Sequence, residues 1–401
     1  MTRRSVHLLA AACLLAAPLT AQEVAPFAVA SSTAGAEAVL LNPAALADLE
    51  GLHGYLGLQQ LYQRTDWEAI EGEADRSIQA PFAVAWNLGD DWAFGIGEMP
   101  AFDGRADFAA PTPFGLEFRK FEFSVAEWRG AAAYRVTDAL NLGIALRFLQ
   151  ADYALRGISW SSGAGGYYYY LFGAYSGNRD RIGLELSAWW KAEGFTVGAL
   201  LRPEVKFDFG YGDFGVSFDL IEEVDEETEA ILRTFFPGGG VATEAVLPLE
   251  ARVAISLAPR GRWRFSGELG WAQWSRWNAV SLDYANETVD PATGEPVLAD
   301  ASFHTQFQDA FSLSGLAAFT FENAVQAYGR LGWQEAICGD PAGATLRSND
   351  GVIATLGGRY PWKFGELTLA VDAFTTFGIY SSHNGFEMSR NLLGAGISFA
   401  Y

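Results

Sequence analysis

Cysteine is almost absent from this sequence: 401 residues carry only 2, Cys13 and Cys338. Cys13 lies in an apolar opening stretch, so the rest of the chain has no disulfide framework. Rigidity must therefore come from hydrogen bonding and packing. Basic charge is also scarce, with 27 Lys and Arg against 48 Asp and Glu and a net charge of −21. That is the wrong balance for neutralising phosphates, and nucleic acid is excluded as a partner. Beyond the opening stretch no run of about eighteen apolar residues occurs without a charge, so a transmembrane helix is excluded.

Chemistry-bearing motifs are equally sparse. His53, His304 and His383 stand in no Ser/His arrangement, and Ser302 with His304 falls where a loop joins a strand and faces water. No Asp-x-Asp calcium loop is present. Gly95-Ile96-Gly97 sits in a strand with no helix after it, so it is not a phosphate loop. No catalytic residue, cofactor or metal is expected. No linker or low-complexity tract divides the chain, which suggests one large closed sheet rather than several soluble domains.

What is present begins with Arg3 and Arg4, an apolar run from Val6 to Ala17, and small residues from Pro18 to Ala21. This layout predicts a signal peptide over residues 1–21, with the mature chain starting at Gln22. Aromatics make up 14% of the chain, and glycine reaches 44. Alternation with period two runs through much of the sequence. Leu249, Ala251, Val253, Ile255 and Leu257 alternate with Glu250, Arg252, Ala254 and Ser256. Trp263, Phe265, Gly267, Leu269 and Trp271 alternate with Arg262, Arg264, Ser266 and Glu268. The last residues alternate Leu393, Ala395, Ile397, Phe399 and Tyr401 with smaller ones, the kind of strand that barrel-insertion machinery reads.

The pattern predicts strands at 51–67, 77–89, 91–100, 115–137, 140–155, 180–192 and 194–206. It continues with 245–259, 261–284, 303–321, 323–334, 350–361, 363–380 and 389–401. Tight turns are expected near Gly89-Asp90, Thr137-Asp138-Ala139, Glu193-Gly194, Pro259-Arg260-Gly261, Glu322-Asn323 and Pro361-Trp362. Long loops near 68–76, 101–114, 156–179, 207–244, 285–302, 335–349 and 378–388 alternate with them. Short turns on one side and long loops on the other describe an all-β transmembrane antiparallel barrel of about fourteen strands in a bacterial outer membrane. Closure has a physical reason, because hydrocarbon leaves no partner for an open edge. Trp271, Trp274, Trp277, Trp189 and Trp190 are expected in the interfacial girdles. Glu250, Arg252, Arg264 and Glu268 are expected to pair in the lumen, with one of them open to a ligand's carboxylate.

Four sequence elements carry a family resemblance. Ser31-Ser32-Thr33-Ala34-Gly35 precedes Asn42-Pro43-Ala44-Ala45-Leu46. Arg202-Pro203-Glu204-Val205-Lys206 ends a strand. Leu247-Pro248 begins another, and Trp271-Ala272-Gln273-Trp274-Ser275 follows in the next. In this order they resemble the FadL/TodX (OmpP1-type) transporters of fatty acids and hydrophobic compounds, over nearly the whole mature chain.

The resemblance implies a plug over residues 22–50, shorter than in well-known members, and a barrel over 51–401. Asn42, Pro43 and Ala44 form the plug motif, which also suits a plain structural turn. The third loop, with Tyr167, Tyr168, Tyr169, Tyr170, Leu171 and Phe172, would capture the ligand. It would do so with a helical stretch of the fourth loop carrying Ile231, Phe235 and Phe236. Apolar capture gains roughly 25 cal/mol per Å² buried. The acidic run from Glu222 to Glu229 reads as that helix's solvent face. Gly95, Gly97 and Pro100 mark a third strand whose kink would open the wall sideways. The implied function is passive uptake of long-chain fatty acids or hydrocarbons by a monomer among lipid and lipopolysaccharide. The alternative is a similar barrel serving protein secretion or assembly.

Overall fold

A computed structural model of the protein describes residues 28–31, 35–67, 75–89, 91–107, 118–162, 168–217, 230, 234, 239–257, 261–289, 294, 296–304, 307–337, 350–380 and 386–401. The opening segment expected as a signal peptide lies outside them. Strands dominate. In chain order they are β1 (Leu52–Trp67), β2 (Asp75–Gln79 and Phe82–Leu88), β3 (Trp92–Asp107), β4 (Phe118–Arg135) and β5 (Leu140–Ser162). Next come β6 (Tyr168–Ala192), β7 (Phe195–Arg202, Val205–Asp208 and Gly212–Ser217) and β8 (Gly239–Leu247 and Glu250–Leu257). Then follow β9 (Trp263–Ala272 and Ala279–Tyr284) and β10 (Ala301–His304 and Ala310–Thr320). The last four are β11 (Gln326–Gln334), β12 (Gly351–Phe364), β13 (Leu367–Tyr380) and β14 (Phe386–Ala400).

Each strand pairs antiparallel with the next, and β1 pairs with β14 from His53↔Ala400 to Trp67↔Phe386. The sheet thus closes into a 14-strand barrel, the form in which a backbone can cross hydrocarbon with its polar groups paired.

The alternation sorts residues across the wall. On β5, Leu142, Ile144, Leu146 and Phe148 face outward, while Asn141, Ala145, Arg147 and Leu149 are buried inside. Beyond Phe148 and its cross-strand partner Ile182, the outward positions become Gln150 and Asp180, which marks the upper edge of the apolar band. At the short-turn rim aromatic rings meet in pairs: Trp92 with Tyr134 at 4.7 Å, Trp263 with Phe319 at 4.9 Å and Tyr360 with Trp362 at 4.5 Å. These are amphipathic rings at the height of a membrane interface.

Several expectations are corrected. Trp274 and Trp277 are not girdle residues: they are 1% and 2% exposed and point into the lumen, where a short 3-10 turn, Trp274–Arg276, interrupts β9. Trp189 is also buried. Its neighbour Trp190 faces out, as adjacent residues on a strand must face opposite sides. The turn expected at Pro361-Trp362 lies at Gly365-Glu366, where Gly365 has φ +63°. Pro361 remains in β12 because β11 begins only at Gln326↔Arg359. The proline therefore sits on a free edge, where its missing N–H costs nothing.

The strands also run beyond their expected ends on the long-loop side. β5 and β6 pair up to Ser162↔Tyr168, so Tyr168, Tyr169, Tyr170, Leu171 and Phe172 belong to a strand, not to a loop. Aromatic-rich sequence suits a paired strand as well as a loop.

Candidate functional site

The lower lumen, nearest the short turns, holds residues 28–31 and 35–49. Ala38–Leu41 form one helical turn and Pro43–Asp48 a 3-10 helix, and almost all their side chains are buried. Proline suits the first helical position, where an N–H would be unpaired anyway. Asn42 sits at the junction. Its Oδ1 accepts from Ala44 N at 3.2 Å, and its Nδ2 donates to Ala30 O at 2.8 Å and to Ala188 O of β6 at 3.2 Å. Ala44 N also donates to Ser187 Oγ at 3.0 Å.

The wall is shaped to receive this segment. A Cβ added to Gly95 would collide with Val39, one on Gly143 with the backbone of Ala44, and one on Gly198 with the carbonyl of Ala30. On Gly97 it would come 2.9 Å from Leu40 Cδ2. Glycine is needed here for close approach rather than for turning. Wall side chains then fasten the segment's carbonyls. Arg129 Nη1 donates to Leu40 O at 2.8 Å and Arg135 Nη2 to Ala47 O at 2.6 Å. Asp48 accepts from Asn141 at 2.9 Å and from Lys191 at 2.7 Å.

Above lies a buried layer of charge. Arg147 grips Glu127 with two bonds, 2.9 and 2.7 Å, the bidentate form that fixes geometry best. Arg129 contacts the same carboxylate and lies 3.2 Å from Glu185. Arg202 bonds Glu185 at 2.6 Å and Glu250 at 3.0 Å. Arg252 pairs with Glu250 and lies 3.9 Å from Glu268. Arg330 approaches Glu268 at 3.5 Å, and Glu268 accepts from Ala30 N at 3.0 Å. Glu250, Arg252 and Glu268 thus pair inside the barrel, and Arg264 projects from the same inner face of β9.

Over the charges the wall turns in on itself. Phe102, Phe123, Phe207, Phe209, Trp274 and Phe307 form an aromatic roof, with Phe102 and Phe123 rings 5.0 Å apart and Phe102 and Trp274 6.0 Å apart. Between roof and charges is a cavity lined by Ala101, Arg147, Arg202, Arg252, Leu247 and Trp274, among others. Sequence reasoning missed Phe102, Phe207 and Trp274 as residues of the roof. The available signal was lost alternation around Pro203, Pro248 and Gln273.

The third strand has a seam beside it. β2 and β3 pair from Leu88↔Trp92 to Phe82↔Glu98. Among the described residues, β3 beyond Glu98 pairs only with β4. A bulge between Pro100↔Ala126 and Phe102↔Val125 skips Ala101. The extra residue turns Phe102 into the lumen. Gly95 and Gly97, by contrast, stand in the paired part of the strand and face residues 39–40. Tyr167, Ile231, Phe235 and Phe236 lie outside the described residues, as does the acidic run at 222–229. Ala230 and Thr234 are helical, with Thr234 Oγ1 donating to Ala230 O at 3.0 Å. The site residues expected from sequence therefore fall into separate places: Asn42, Pro43 and Ala44 in the lower lumen, Pro100 at the seam, and Tyr168 to Phe172 at the upper end of β6.

A family model described as outer membrane protein transport protein (OMPP1/FadL/TodX) matches residues 7–324. A comparison with curated proteins finds no match. Among solved structures, the chain is similar to a Pseudomonas aeruginosa FadL homologue, with TM-score 0.78, 12% identity and coverage of 96% of this chain and 98% of that one. It is also similar to the Pseudomonas putida toluene transporter TodX (TM-score 0.68, 16% identity, 97% and 99% covered). The Ralstonia pickettii toluene transporter TbuX gives TM-score 0.66 at 14% identity, with 92% and 96% covered.

Proposed function

The chain belongs to the OMPP1/FadL/TodX family of outer-membrane transport proteins, and from that premise we propose that it carries small hydrophobic molecules inward across the outer membrane by passive diffusion. The observation that carries this reading is the partly open cavity between the aromatic roof and the charged layer. An apolar solute gains by leaving water for such a site. Arg147, Arg202 and Arg252 on its lining are already paired with Glu127, Glu185 and Glu250, so the carboxylate of a long-chain fatty acid would have to compete with those partners. Capture at the outer rim falls to Tyr168–Phe172 and the fourth-loop helix.

Release is sideways. The lower lumen is filled by residues 28–31 and 35–49, so a straight path to the periplasm is shut on this reading. The cavity instead reaches Ala101, the bulged residue at the β2–β3 seam. A lipid-like solute loses nothing by stepping from there into acyl chains. Asn42, Pro43 and Ala44 keep the lower lumen closed by holding the fastened segment in shape.

The test is native mass spectrometry of the detergent-purified protein, with extraction of bound molecules, together with uptake of radiolabelled oleate and toluene into liposomes. Uptake of either solute, lost in Phe207→Asp, supports the reading. An intact barrel that binds neither and admits neither overturns it. Oleate uptake without toluene uptake would assign the fatty-acid class.

A further inference from the structure

β7 leaves the wall in mid-course. It pairs with β6 from Ala192↔Phe195 to Leu186↔Leu201, and pairing resumes only at Ser176↔Asp213. Between these anchors β6 supplies residues 177–185 and β7 residues 202–212, two more than β6. Pro203 opens the excursion and has no N–H to give. Val205, Phe207 and Phe209 then turn inward to join the roof, and among the described residues Val205–Asp208 pairs only with β8. Over residues 177–185 β6 keeps its β5 partner, and among the described residues its other edge has no ladder. A surplus of two residues cannot lie flat against β6, so the gap is written into the sequence.

The gap has an apolar rim on both sides. Outside, Ile182 and Leu184 face the upper edge of the apolar band. Inside, Val205 packs so near Gly183 that a Cβ there would stand 3.1 Å from Val205 Cγ2. Arg181 spans the gap, its Nε donating to Lys206 O at 2.9 Å. A side-chain bond thus stands where neighbouring strands have a ladder. A wall without its ladder parts more easily than one with it.

We propose that the β6–β7 gap is a second lateral portal, latched by Arg181, through which a hydrophobic solute passes between the roofed cavity and the outer-leaflet lipid. This rests on the uptake reading above, and it gives the roof an exit away from the β2–β3 seam.

The experiment closes the gap covalently. Gly183→Cys and Val205→Cys are placed in a Cys338→Ser background, oxidised, and tested for uptake of radiolabelled oleate and toluene into liposomes before and after reduction. The expected result is a loss of uptake on oxidation that reduction restores. Equal uptake in the two states, with the cross-link confirmed by mass spectrometry, overturns the portal. The Cys338→Ser parent carries the uptake reading by itself, so if it admits neither probe, that reading fails first. Should the cross-linked pair fold poorly, a diazirine-bearing fatty acid is photolysed on the unaltered protein. Labels on 180–184 of β6 support the portal, and labels confined to the roof or to β2 and β3 overturn it.

Discussion

In the lower lumen the filling is a separate piece of chain, residues 28–31 and 35–49, lodged against wall glycines and held through its own carbonyls. In the upper lumen, among the described residues, the filling comes from the wall: β3, β7, β9 and β10 bend inward and fill the space with their own rings. The lower filling can in principle be displaced while the wall stays whole. The upper filling cannot move without moving the wall. On the function proposed above the two regions divide the work, one sealing the bore and the other building a pocket that reaches the bulge at Ala101.

The largest expected effect falls on the layer between them. Glu127→Ala strips Arg129 and Arg147 of a shared carboxylate that is fully buried. Breaking such a pair costs about 3–5 kcal/mol. A clear drop in the urea midpoint of the barrel in detergent is expected, and an unchanged midpoint would mean that the two fillings do not depend on the charges between them.

Next comes the seal. Gly143→Leu drives a side chain into the backbone of Ala44, an overpacking worth about 1–3 kcal/mol. Planar-bilayer recordings should show a new ion conductance while the barrel stays resistant to dissociation in detergent gels. If conductance does not rise, residues 28–49 are not the seal.

Phe207→Ala, in the roof, should do the reverse. It empties one ring position of the roof over the pocket and weakens probe binding, measured by oleate titration, without opening an ion path. A conductance comparable to that of Gly143→Leu would erase the distinction between the halves. The smallest effect belongs to neither half. Leu356→Ala on the lipid face of β12 should lower stability by about 1 kcal/mol or less and leave binding and conductance alone.

The barrel was legible because a wall with lipid outside and polar side chains inside must alternate, as Leu142 to Leu149 do. The charged layer was half legible: Glu250, Arg252 and Glu268 stood out on their strands, but their partners Glu127, Glu185 and Arg202 come from distant sequence. The roof was hidden. Trp274 and Trp277 sit where alternation lapses, and a tryptophan near a strand end reads as a membrane anchor unless the backbone's inward turn is known. Gly95 and Gly97 read as a weakness in the third strand. Their lack of a side chain is better explained by Val39 and Leu40, contacts that exist only once the chain has folded back into its own bore.

The closing ladder between β1 and β14 also sets an order of assembly. Residues 28–49 are synthesised before any strand, yet their seat is lined by β3, β5, β6 and β7 and enclosed only when β14 finds β1. During biogenesis the N-terminal segment must therefore wait outside a lumen that does not yet exist. A barrel newly delivered to the membrane should be leaky for as long as docking takes, and variants of Arg129 or Asn42 should lengthen that interval while leaving insertion itself on schedule.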